Sequence, residues 1–408
     1  MSSTEETWTL FAKTLAGLEP LLVKELEGFG MKNINPVTRG VEFETDYRGL
    51  VLVNLASRFA VRVLLPWWTG TATDPDELYA VAKTLPWDGI LSLDQTFSIG
   101  STVHSEGFPH SQYAGLKLKD AIADYFVEKI GARPSVDKDD PDLRIDLQIF
   151  EDKVRISLDS TGESLHRRGY RPGGAKAPLN ECLAAAMIEL SGWTPDIPLH
   201  LPMCGSGTLV MEAAMRAANL PSQWFRPTYG FMKWPNYDRK VAESVRVELW
   251  QKRVPSVAKI FASDKDRDAV QQTLLAVSKM SWANEISVSK VDFFELPAAR
   301  TPGILILNPP YGERLKEENI EALYRLIGQK LKGDFAGSTA WIISSNLDAI
   351  DHLGFRPDKK EKLFNGQLEC RYLGFDLYGG SRKKRGERKQ EAPANNQEAD
   401  TTEENPTA

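Results

Sequence analysis

Hydrophobic residues recur with two different spacings in the first 160 residues of the chain. A period of two predicts β-strands, and a period of 3.6 predicts amphipathic helices. The period of two occurs at 7–12, 40–45 and 96–103. The helical period occurs at 19–29, 47–57 and 113–130. Two further runs, 144–150 and 153–159, predict a hairpin around Glu151 and Asp152. We therefore expect two small α+β units in series.

Strands and helices alternate from residue 179 onwards. The predicted strands are 198–201, 258–263, 286–290, 304–307 and 339–344. The predicted helices are 179–191, 267–280 and 319–331, with another running from a CGSG turn through 219, and 363–377 predicts a terminal hairpin. This alternation predicts a parallel, doubly wound α/β sheet. Ligands of such sheets bind beyond the carboxyl ends of the strands.

Two segments interrupt these patterns. Residues 164–178 (SLHRRGYRPGGAKAP) are rich in glycine, proline and arginine, so they predict a linker between domains. Residues 379–408 contain no apolar side chain other than alanine and cannot offset the entropy cost of ordering, so we expect a disordered tail. Its basic stretch, 382–389, suits either a contact with RNA phosphates or a solubilising role.

The composition excludes several classes of protein. The 408 residues are 42% hydrophobic and 26% charged, which excludes a disordered chain or a fibre. Cys182, Cys204 and Cys370 are isolated, so we expect no disulfides, no metal site and a cytoplasmic protein. The first residues lack the features of a signal peptide or membrane anchor. The net charge of −6, carried mainly by the N-terminal half, argues against binding of nucleic acid through bulk charge.

The first candidate site is a glycine-containing turn between a predicted strand and a predicted helix. Glycines let a ligand approach the backbone, and a helix N-terminus offers free N–H groups. Val210 stands where a dinucleotide fingerprint needs its third glycine, and the G-K-[ST] of an ATP-binding loop is absent, so neither NAD nor ATP is favoured. A purely structural turn is the alternative. The candidate cofactor-binding residues are Met203, Cys204, Gly205, Ser206, Gly207 and Thr208.

Two acidic residues follow the next two predicted strands. Asp264 can accept two hydrogen bonds from a ribose diol. Asp292 can accept from an adenine amino group, with Phe293 against the ring. The alternative for the second pair is a turn aspartate beside a core phenylalanine. For Asp266, the alternative is a cap of the following helix.

The sequence Asn308-Pro309-Pro310-Tyr311 ends the predicted strand 303–307. Two prolines directly after a buried strand are unfavourable in a sheet, but they hold the Asn308 side chain and the Pro309 carbonyl in fixed positions. Two acceptors and a stacking aromatic ring form a receptor for a planar exocyclic amine. We therefore expect these four residues to be catalytic, with Asn308 also close to the cofactor; a tight turn without a catalytic role is the alternative.

These motifs, in this order, resemble a known family. Together with HRRGYR at 166–171, APLNE at 177–181 and LFNGQLEC at 363–370, they are similar to the bacterial THUMP-domain class I methyltransferases. The resemblance is greatest to the RlmL type, which methylates guanine N2 in large-subunit (23S) ribosomal RNA. It implies S-adenosylmethionine as cofactor and RNA as partner. It also implies a ferredoxin-like unit at 1–60, a THUMP domain at 61–163 and a Rossmann-like methyltransferase domain at 179–378.

One position departs from the family pattern D-P-M-C-G-S-G-T. Leu201 stands where the pattern has the acid, which would help hold the methionine ammonium of the cofactor. Loss of such a charge-assisted hydrogen bond is worth about 1.5–3 kcal/mol. Cofactor binding is then weaker, or another acid substitutes. We expect activity to survive because Asp264, Asp292 and the Asn-Pro-Pro-Tyr motif are present.

Several alternatives remain open from the sequence. Transfer-RNA guanine-N2 methyltransferases share the motifs, and Asn-Pro-Pro-Tyr also suits protein glutamine or DNA adenine. A non-catalytic RNA-binding or assembly protein is the alternative from another class. The candidate RNA-binding residues are Lys117, Lys119, Arg167, Arg168 and Arg171. For the two lysines, a solvated helix face is the alternative.

Overall fold

The computed structural model describes residues 7–171, 179–256, 258–280, 285–310 and 317–378. The N-terminal part contains strands β1 (Trp8–Thr14), β2 (Lys32–Val37), β3 (Gly40–Thr45), β4 (Ala60–Thr71), β5 (Thr96–His104), β6 (Ser135–Val136), β7 (Leu143–Phe150) and β8 (Lys153–Asp159). Its helices are α1 (Glu19–Gly28), α2 (Tyr47–Ala56), α3 (Pro75–Lys83) and α4 (Ser111–Ile130).

All eight N-terminal strands form one sheet, in the order β2-β3-β1-β4-β8-β7-β5-β6. The first part of β4 pairs with β1, where Leu64 lies opposite Phe11. The same strand continues along β8, where Leu64 lies opposite Asp159 and Thr71 opposite Lys153. The two predicted α+β units are therefore joined through a shared strand, and the predicted division after residue 60 falls at the start of β4.

The C-terminal part contains strands β9 (Leu199–Pro202), β10 (Ile260–Asp264), β11 (Ile286–Lys290), β12 (Ile304–Leu307), β13 (Thr339–Ser344), β14 (Lys359–Asn365) and β15 (Leu368–Asp376). Its helices are α5 (Glu181–Ser191), α6 (Thr208–Ala217), α7 (Arg239–Gln251), α8 (Arg267–Val277), α9 (Glu317–Asp334) and α10 (Leu347–Asp351).

The C-terminal sheet has the strand order β11-β10-β9-β12-β13-β15-β14. The strands from β11 to β13 are parallel, and the terminal hairpin pairs antiparallel with β13. The chain passes to one side of β9 to form β10 and to the other side to form β12. This topological switch opens a crevice at the carboxyl ends of the central strands, which is where doubly wound sheets bind ligands.

Local sequence explains where several helices begin. The side chains of Asp74, Asn180, Asp238 and Asp266 each accept a backbone N–H in the first turn of α3, α5, α7 and α8, respectively. Such caps satisfy N–H groups that have no partner within the helix. The central strand β12 is Ile-Leu-Ile-Leu and buried throughout, as expected for a strand covered on both faces.

The connection between the two parts is packed against the protein at three positions within residues 164–171. Leu165, Arg168 and Tyr170 are at most 1% exposed, and the Leu165 N–H donates to the Val61 carbonyl. This part of the predicted linker is thus a structural element, because its apolar and aromatic side chains fill the junction. The rest of it, 172–178, and the predicted tail, 379–408, lie outside the described residues.

Candidate active site

The glycine-containing turn after β9 has three residues in the left-handed region. Met203 has φ +58°, Gly205 has φ +56° and Gly207 has φ +80°. A Cβ atom on Gly207 would lie 2.8 Å from Thr273 Oγ1, whereas a Cβ on Gly205 would meet no atom within 4 Å. Gly207 therefore serves close packing against α8, and Gly205 borders open space that a ligand can enter.

Asp264, the last residue of β10, holds this turn. Its Oδ2 accepts the Gly205 N–H at 2.9 Å, and its Oδ1 accepts the Asp266 N–H at 2.9 Å. An ionised carboxylate has about four acceptor sites, so each oxygen keeps one for a ligand hydroxyl. Asp264 thus combines an anchoring role, which the sequence did not reveal, with the predicted capacity to bind a ribose.

Strand register brings the predicted residues together. Pro202 of β9 pairs with Ser263 of β10, so Met203 and Asp264 follow at the same level. On the other side, His200 pairs with Leu305 of β12, which puts Asn308 at that level too. The glycine turn, the carboxylate and the first residue of Asn-Pro-Pro-Tyr therefore meet at one edge of the sheet.

The Asn308 side chain is prepared to accept a hydrogen bond. Its Oδ1 atom is buried, and among the described residues it has no hydrogen-bond partner. Pro309 is buried and Pro310 is exposed. Tyr311, predicted to stack on the substrate, lies outside the described residues. An unsatisfied buried oxygen is costly in isolation, so this atom is a binding position for a donor such as an amine.

The structure corrects the role predicted for Phe293. Its side chain is 2% exposed and packs in a hydrophobic cluster, with its ring centroid 6.2 Å from that of Phe335. It cannot stack on an adenine, because core atoms cover it. Asp292 caps the short turn that follows, accepting the Phe294 N–H at 3.0 Å. Phe294 is the partly exposed ring at this strand end, but the Phe-Phe sequence alone does not show which ring faces outward.

Arg168 is also a correction. We expected it to contact RNA, but its residue is 1% exposed and its guanidinium donates to the Leu165 and Arg58 carbonyls at 2.8 and 2.6 Å. A phosphate cannot reach it. The arginine pairs instead with Glu212 of α6, a residue that sequence analysis did not single out.

Arg171 is engaged within the chain as well. One of its terminal nitrogens lies 3.0 Å from Glu181 Oε1, 3.1 Å from Thr208 Oγ1 and 3.0 Å from the Leu179 carbonyl. Burial raises the pKa of Glu181 to about 7, although Arg171 opposes the shift. The Thr208 hydroxyl, a predicted cofactor contact, thus binds Arg171. Arg171 thereby ties the start of α5 to the start of α6.

The other predicted RNA-binding residues are accessible, and each has an acidic neighbour. Lys117 Nζ lies 2.6 Å from Asp76, and Lys119 Nζ lies 2.8 Å from Asp120. Arg167 is the most exposed of the three, with 67% of its side chain accessible, and it pairs with Glu163. Exposed pairs of this kind are weak, so these cations can exchange their partners for phosphates.

The buried thiol of Cys204 completes the turn. Burial raises its pKa to about 12, so the thiol stays neutral at physiological pH. The backbone N–H of Cys204 donates to the Ser263 carbonyl at 3.0 Å, which ties the turn to β10. Thr273 of α8 donates to the Gly205 carbonyl at 2.9 Å. Thr273 was not foreseen, since nothing in its local sequence connects it with a turn almost 70 residues earlier.

Three family models match consecutive parts of the chain. The RlmL ferredoxin-like domain matches residues 9–64, and the THUMP domain matches residues 72–159. The RMKL-like methyltransferase domain matches residues 168–373. The chain belongs to the RMKL-like methyltransferase family. The predicted fold class and family are confirmed, and S-adenosylmethionine is the cofactor that this class I fold uses.

Similar curated proteins support the family over nearly the whole chain. The Synechocystis protein slr0064, whose name assigns it provisionally to the RNA methyltransferases, is 36% identical over 90% of this chain and 96% of the relative. The ribosomal RNA large subunit methyltransferase K/L of Syntrophotalea carbinolica is 37% identical over 90% of this chain. That of Methylococcus capsulatus is 36% identical over 91% of this chain. The chain spans about half the length of these two K/L relatives, 53% and 51%.

Solved structures share the fold. SMU.472, described provisionally as a methyltransferase and complexed with S-adenosylhomocysteine, superposes with a TM-score of 0.81. It is 27% identical, and the match covers 93% of this chain and 100% of that protein. A Listeria monocytogenes protein described as a predicted N6-adenine-specific DNA methylase gives a TM-score of 0.80 at 26% identity, covering 92% of this chain and 97% of that protein.

None of the described helices is long and apolar enough to cross a bilayer. No group of three or more His, Cys, Asp or Glu side chains in the described part of the chain could hold a metal ion.

Proposed function

We propose that this protein transfers a methyl group from S-adenosylmethionine to the exocyclic N2 amine of a guanine in large-subunit ribosomal RNA. The observation that carries the proposal is the buried Asn308 Oδ1, which has no hydrogen-bond partner in the described part of the chain and lies at the same strand level as the glycine turn. RNA as substrate is supported by the THUMP match and by the names of the K/L relatives.

The residues at the strand ends fit the cofactor. Gly205 leaves room for a ligand beside the backbone, and Asp264 keeps acceptor sites for ribose hydroxyls. Asp292 keeps an oxygen beyond the one that caps the next turn, so it remains our candidate for the adenine amine. When bound, the cofactor supplies an electrophilic methyl group on sulfur.

Asn308 and Pro309 would activate the amine. The N2 lone pair of guanine is delocalised into the ring, which makes the amine a poor nucleophile. Hydrogen bonds from N2–H to Asn308 Oδ1 and to the Pro309 carbonyl would localise that lone pair and direct it at the methyl group. The new N–C bond replaces the S–C bond, and the amine then loses one proton to water. We propose that Tyr311 stacks on the base.

The target base has to leave its helix. A guanine inside an RNA duplex cannot reach a crevice at the end of a sheet, so it must be unpaired or flipped out. Lys117, Lys119 and Arg167 remain our candidates for phosphate contacts, since they are accessible. The weak, exchangeable pairs they form suit binding that depends on RNA shape more than on bulk charge.

Leu201 is fully buried, so it is a core residue in this protein. Its side chain offers no acceptor to the methionine ammonium. We propose that binding depends correspondingly more on Asp264 and the glycine turn.

The test replaces Asn308 by Ala. The substrate is RNA isolated from a strain that lacks this gene and is therefore unmethylated at the target. The variant should no longer methylate this RNA, whereas its binding of S-adenosylmethionine, measured by calorimetry, should be nearly unchanged. Asn35, exposed on β2, provides the control Asn35→Ala, which should keep wild-type turnover. Wild-type turnover by Asn308→Ala would contradict the mechanism.

A second readout identifies the substrate. Mass spectrometry of nucleosides from ribosomal and transfer RNA of the deletion strain should show loss of N2-methylguanosine in large-subunit ribosomal RNA only. Loss in transfer RNA, or of N6-methyladenine in DNA, would move the activity to another substrate. The second outcome is relevant because the Listeria neighbour carries that description.

A further inference from the structure

A cavity separate from the strand ends lies between α2 of the N-terminal part and residues 221–250 of the C-terminal part. Its volume is about 220 Å³. Leu55 of α2 forms one wall, and residues of α7 and of the segment before it form the others. Its lining residues are Leu55, Pro221, Gln223, Trp224, Arg226, Tyr229, Arg246, Leu249 and Trp250.

The cavity wall is aromatic and positively charged. The Trp224 and Trp250 rings stack with centroids 4.8 Å apart, and Trp250 is 50% exposed. Arg226 and Arg246 contribute two positive charges, and the lining includes no acidic residue. The Arg226 guanidinium donates to backbone carbonyls, including those of Thr228 at 2.9 Å and Ser164 at 3.1 Å. Its charge is therefore not neutralised by these contacts.

Gln223 adds an unsatisfied acceptor. Its Nε2 donates to the Leu165 carbonyl at 2.9 Å, which fixes the orientation of the amide. Its Oε1 has no partner among the described residues, although the residue is only 3% exposed. A buried amide oxygen without a donor is costly, so the site is completed by a ligand that brings an N–H group.

We propose that this cavity holds one unpaired nucleobase of the substrate RNA, with an N–H on its edge donating to Gln223 Oε1 and a neighbouring phosphate beside Arg246. Unpaired bases are recognised in this way, by aromatic and guanidinium groups together with hydrogen bonds to base edges. The cavity is smaller than the roughly 300–1,000 Å³ typical of sites for drug-sized ligands, so it suits one ring system rather than a complete cofactor.

The position of the cavity fits an RNA that contacts both parts of the protein. Leu55 belongs to the ferredoxin-like unit, and the Gln223 N–H donates to the Leu55 carbonyl. A base held here would fix the RNA at the junction, separately from the base that is methylated. This inference rests on the proposed function, since it requires RNA as the ligand.

The experiment uses the full chain and a fluorescein-labelled single-stranded RNA of twelve nucleotides. Trp250→Ala should weaken binding about tenfold, in the range found for loss of one base–aromatic contact. Arg246→Gln should lower the slope of log affinity against log salt by about one, as expected for one phosphate contact. Val247, 51% exposed beside Arg246 and absent from the lining, provides the control Val247→Ala, which should bind like wild type.

Cross-linking gives an independent readout. Irradiation of the complex with 4-thiouridine-containing RNA should attach RNA to a peptide within 221–250. The inference is overturned if the wild type binds and methylates RNA and both variants keep its RNA affinity and salt slope. The proposed function then stays intact. A wild type that neither binds nor methylates RNA would remove both. Sedimentation velocity of the two variants tests the alternative of a protein interface. If the variants keep their RNA affinity but sediment as monomers while the wild type sediments as a dimer, the cavity belongs to a protein interface instead.

Discussion

Arg168 and Glu212 form an ion pair that is closed to solvent on both sides. Arg168 Nε lies 3.4 Å from Glu212 Oε1, and both side chains are 0% exposed. Tyr170 donates to the same Glu212 oxygen at 3.1 Å. Burial, the largest single influence, lowers the pKa of Arg168, but Glu212 together with Cys182, Tyr170 and Glu181 outweighs burial and holds the pKa above its usual value. Because Arg168 also donates to the Arg58 carbonyl, the pair connects the ferredoxin-like unit to α6 of the methyltransferase domain.

Removal of Arg168 should destabilise the fold. Arg168→Met leaves the Glu212 carboxylate buried without its ion-pair partner, and loss of one partner of such a pair costs about 3–5 kcal/mol. The free energy of unfolding in urea measures the effect. Arg167→Met is the matched control, because the Arg167 side chain is 67% exposed and an exposed pair contributes less than about 1 kcal/mol. Normal stability of Arg168→Met with reduced RNA affinity would restore the RNA-binding interpretation.

The central strands could be predicted closely from the sequence. The predictions for 304–307 and 339–344 coincide with β12 and β13. Buried parallel strands are continuous apolar runs bounded by polar or breaker residues, which makes their ends visible. The strand β4 gave no such signal. Pro66 interrupts it, and the pairing with β8 shifts register between Pro66 and Trp68, an irregularity that no single-sequence pattern reveals.

The candidate site was predictable to the level of strand ends but not of side-chain direction. Motifs after parallel strands meet at one edge whatever the details, so the grouping of Asp264 with Asn308 followed from topology. Phe293 and Arg168 show the limit. Each has a neighbour of the same type, and the structure buries Phe293 and Arg168 but leaves Phe294 partly exposed and Arg167 exposed. Outside a regular element, periodicity cannot decide which member is inside.

Gly207 should tolerate alanine much less well than Gly205. Both have positive φ, so alanine costs roughly 1–2 kcal/mol of backbone strain at either position. At Gly207 the new Cβ would also lie 2.8 Å from Thr273 Oγ1, and overpacking adds roughly 1–3 kcal/mol. Urea unfolding should therefore separate the two variants, and Thr273→Ala should partly restore the stability of Gly207→Ala. Equal destabilisation of the two glycine variants would argue against the packing role.

Asp264 should govern cofactor affinity, whereas Asp266 should govern only helix stability. Asp264→Ala removes the acceptor for the Gly205 N–H together with any ribose contact, and a hydrogen bond to a charged group is worth about 1.5–3 kcal/mol. Binding of S-adenosylmethionine, measured by calorimetry, should weaken at least about tenfold. Asp266→Ala removes a helix cap, with a stability loss of about 1 kcal/mol and unchanged affinity. Equal affinities in the two variants would contradict the assignment of Asp264.

His166 should make the protein less stable in acid. Burial, followed by the charges of Arg167, Arg168 and Arg171, lowers its pKa from 6.5 to about 4. Between these two pH values the unfolded chain binds a proton at His166 and the folded chain does not, so the free energy of unfolding rises with pH across this window. At 1.36 kcal/mol per pH unit, the contribution is at most roughly 3 kcal/mol.

The variant His166→Asn isolates that contribution. Asn keeps an acceptor for the Ser164 hydroxyl, which lies 2.7 Å from His166 Nδ1, but it does not titrate. Urea unfolding of both proteins at pH 4.5, 5.5, 6.5 and 7.5 should show the wild type gaining stability relative to the variant up to about pH 6.5, with no further change above it. A difference that is constant over this series would mean that His166 titrates alike in the folded and unfolded chains, and that the surrounding arginines do not repel its charged form.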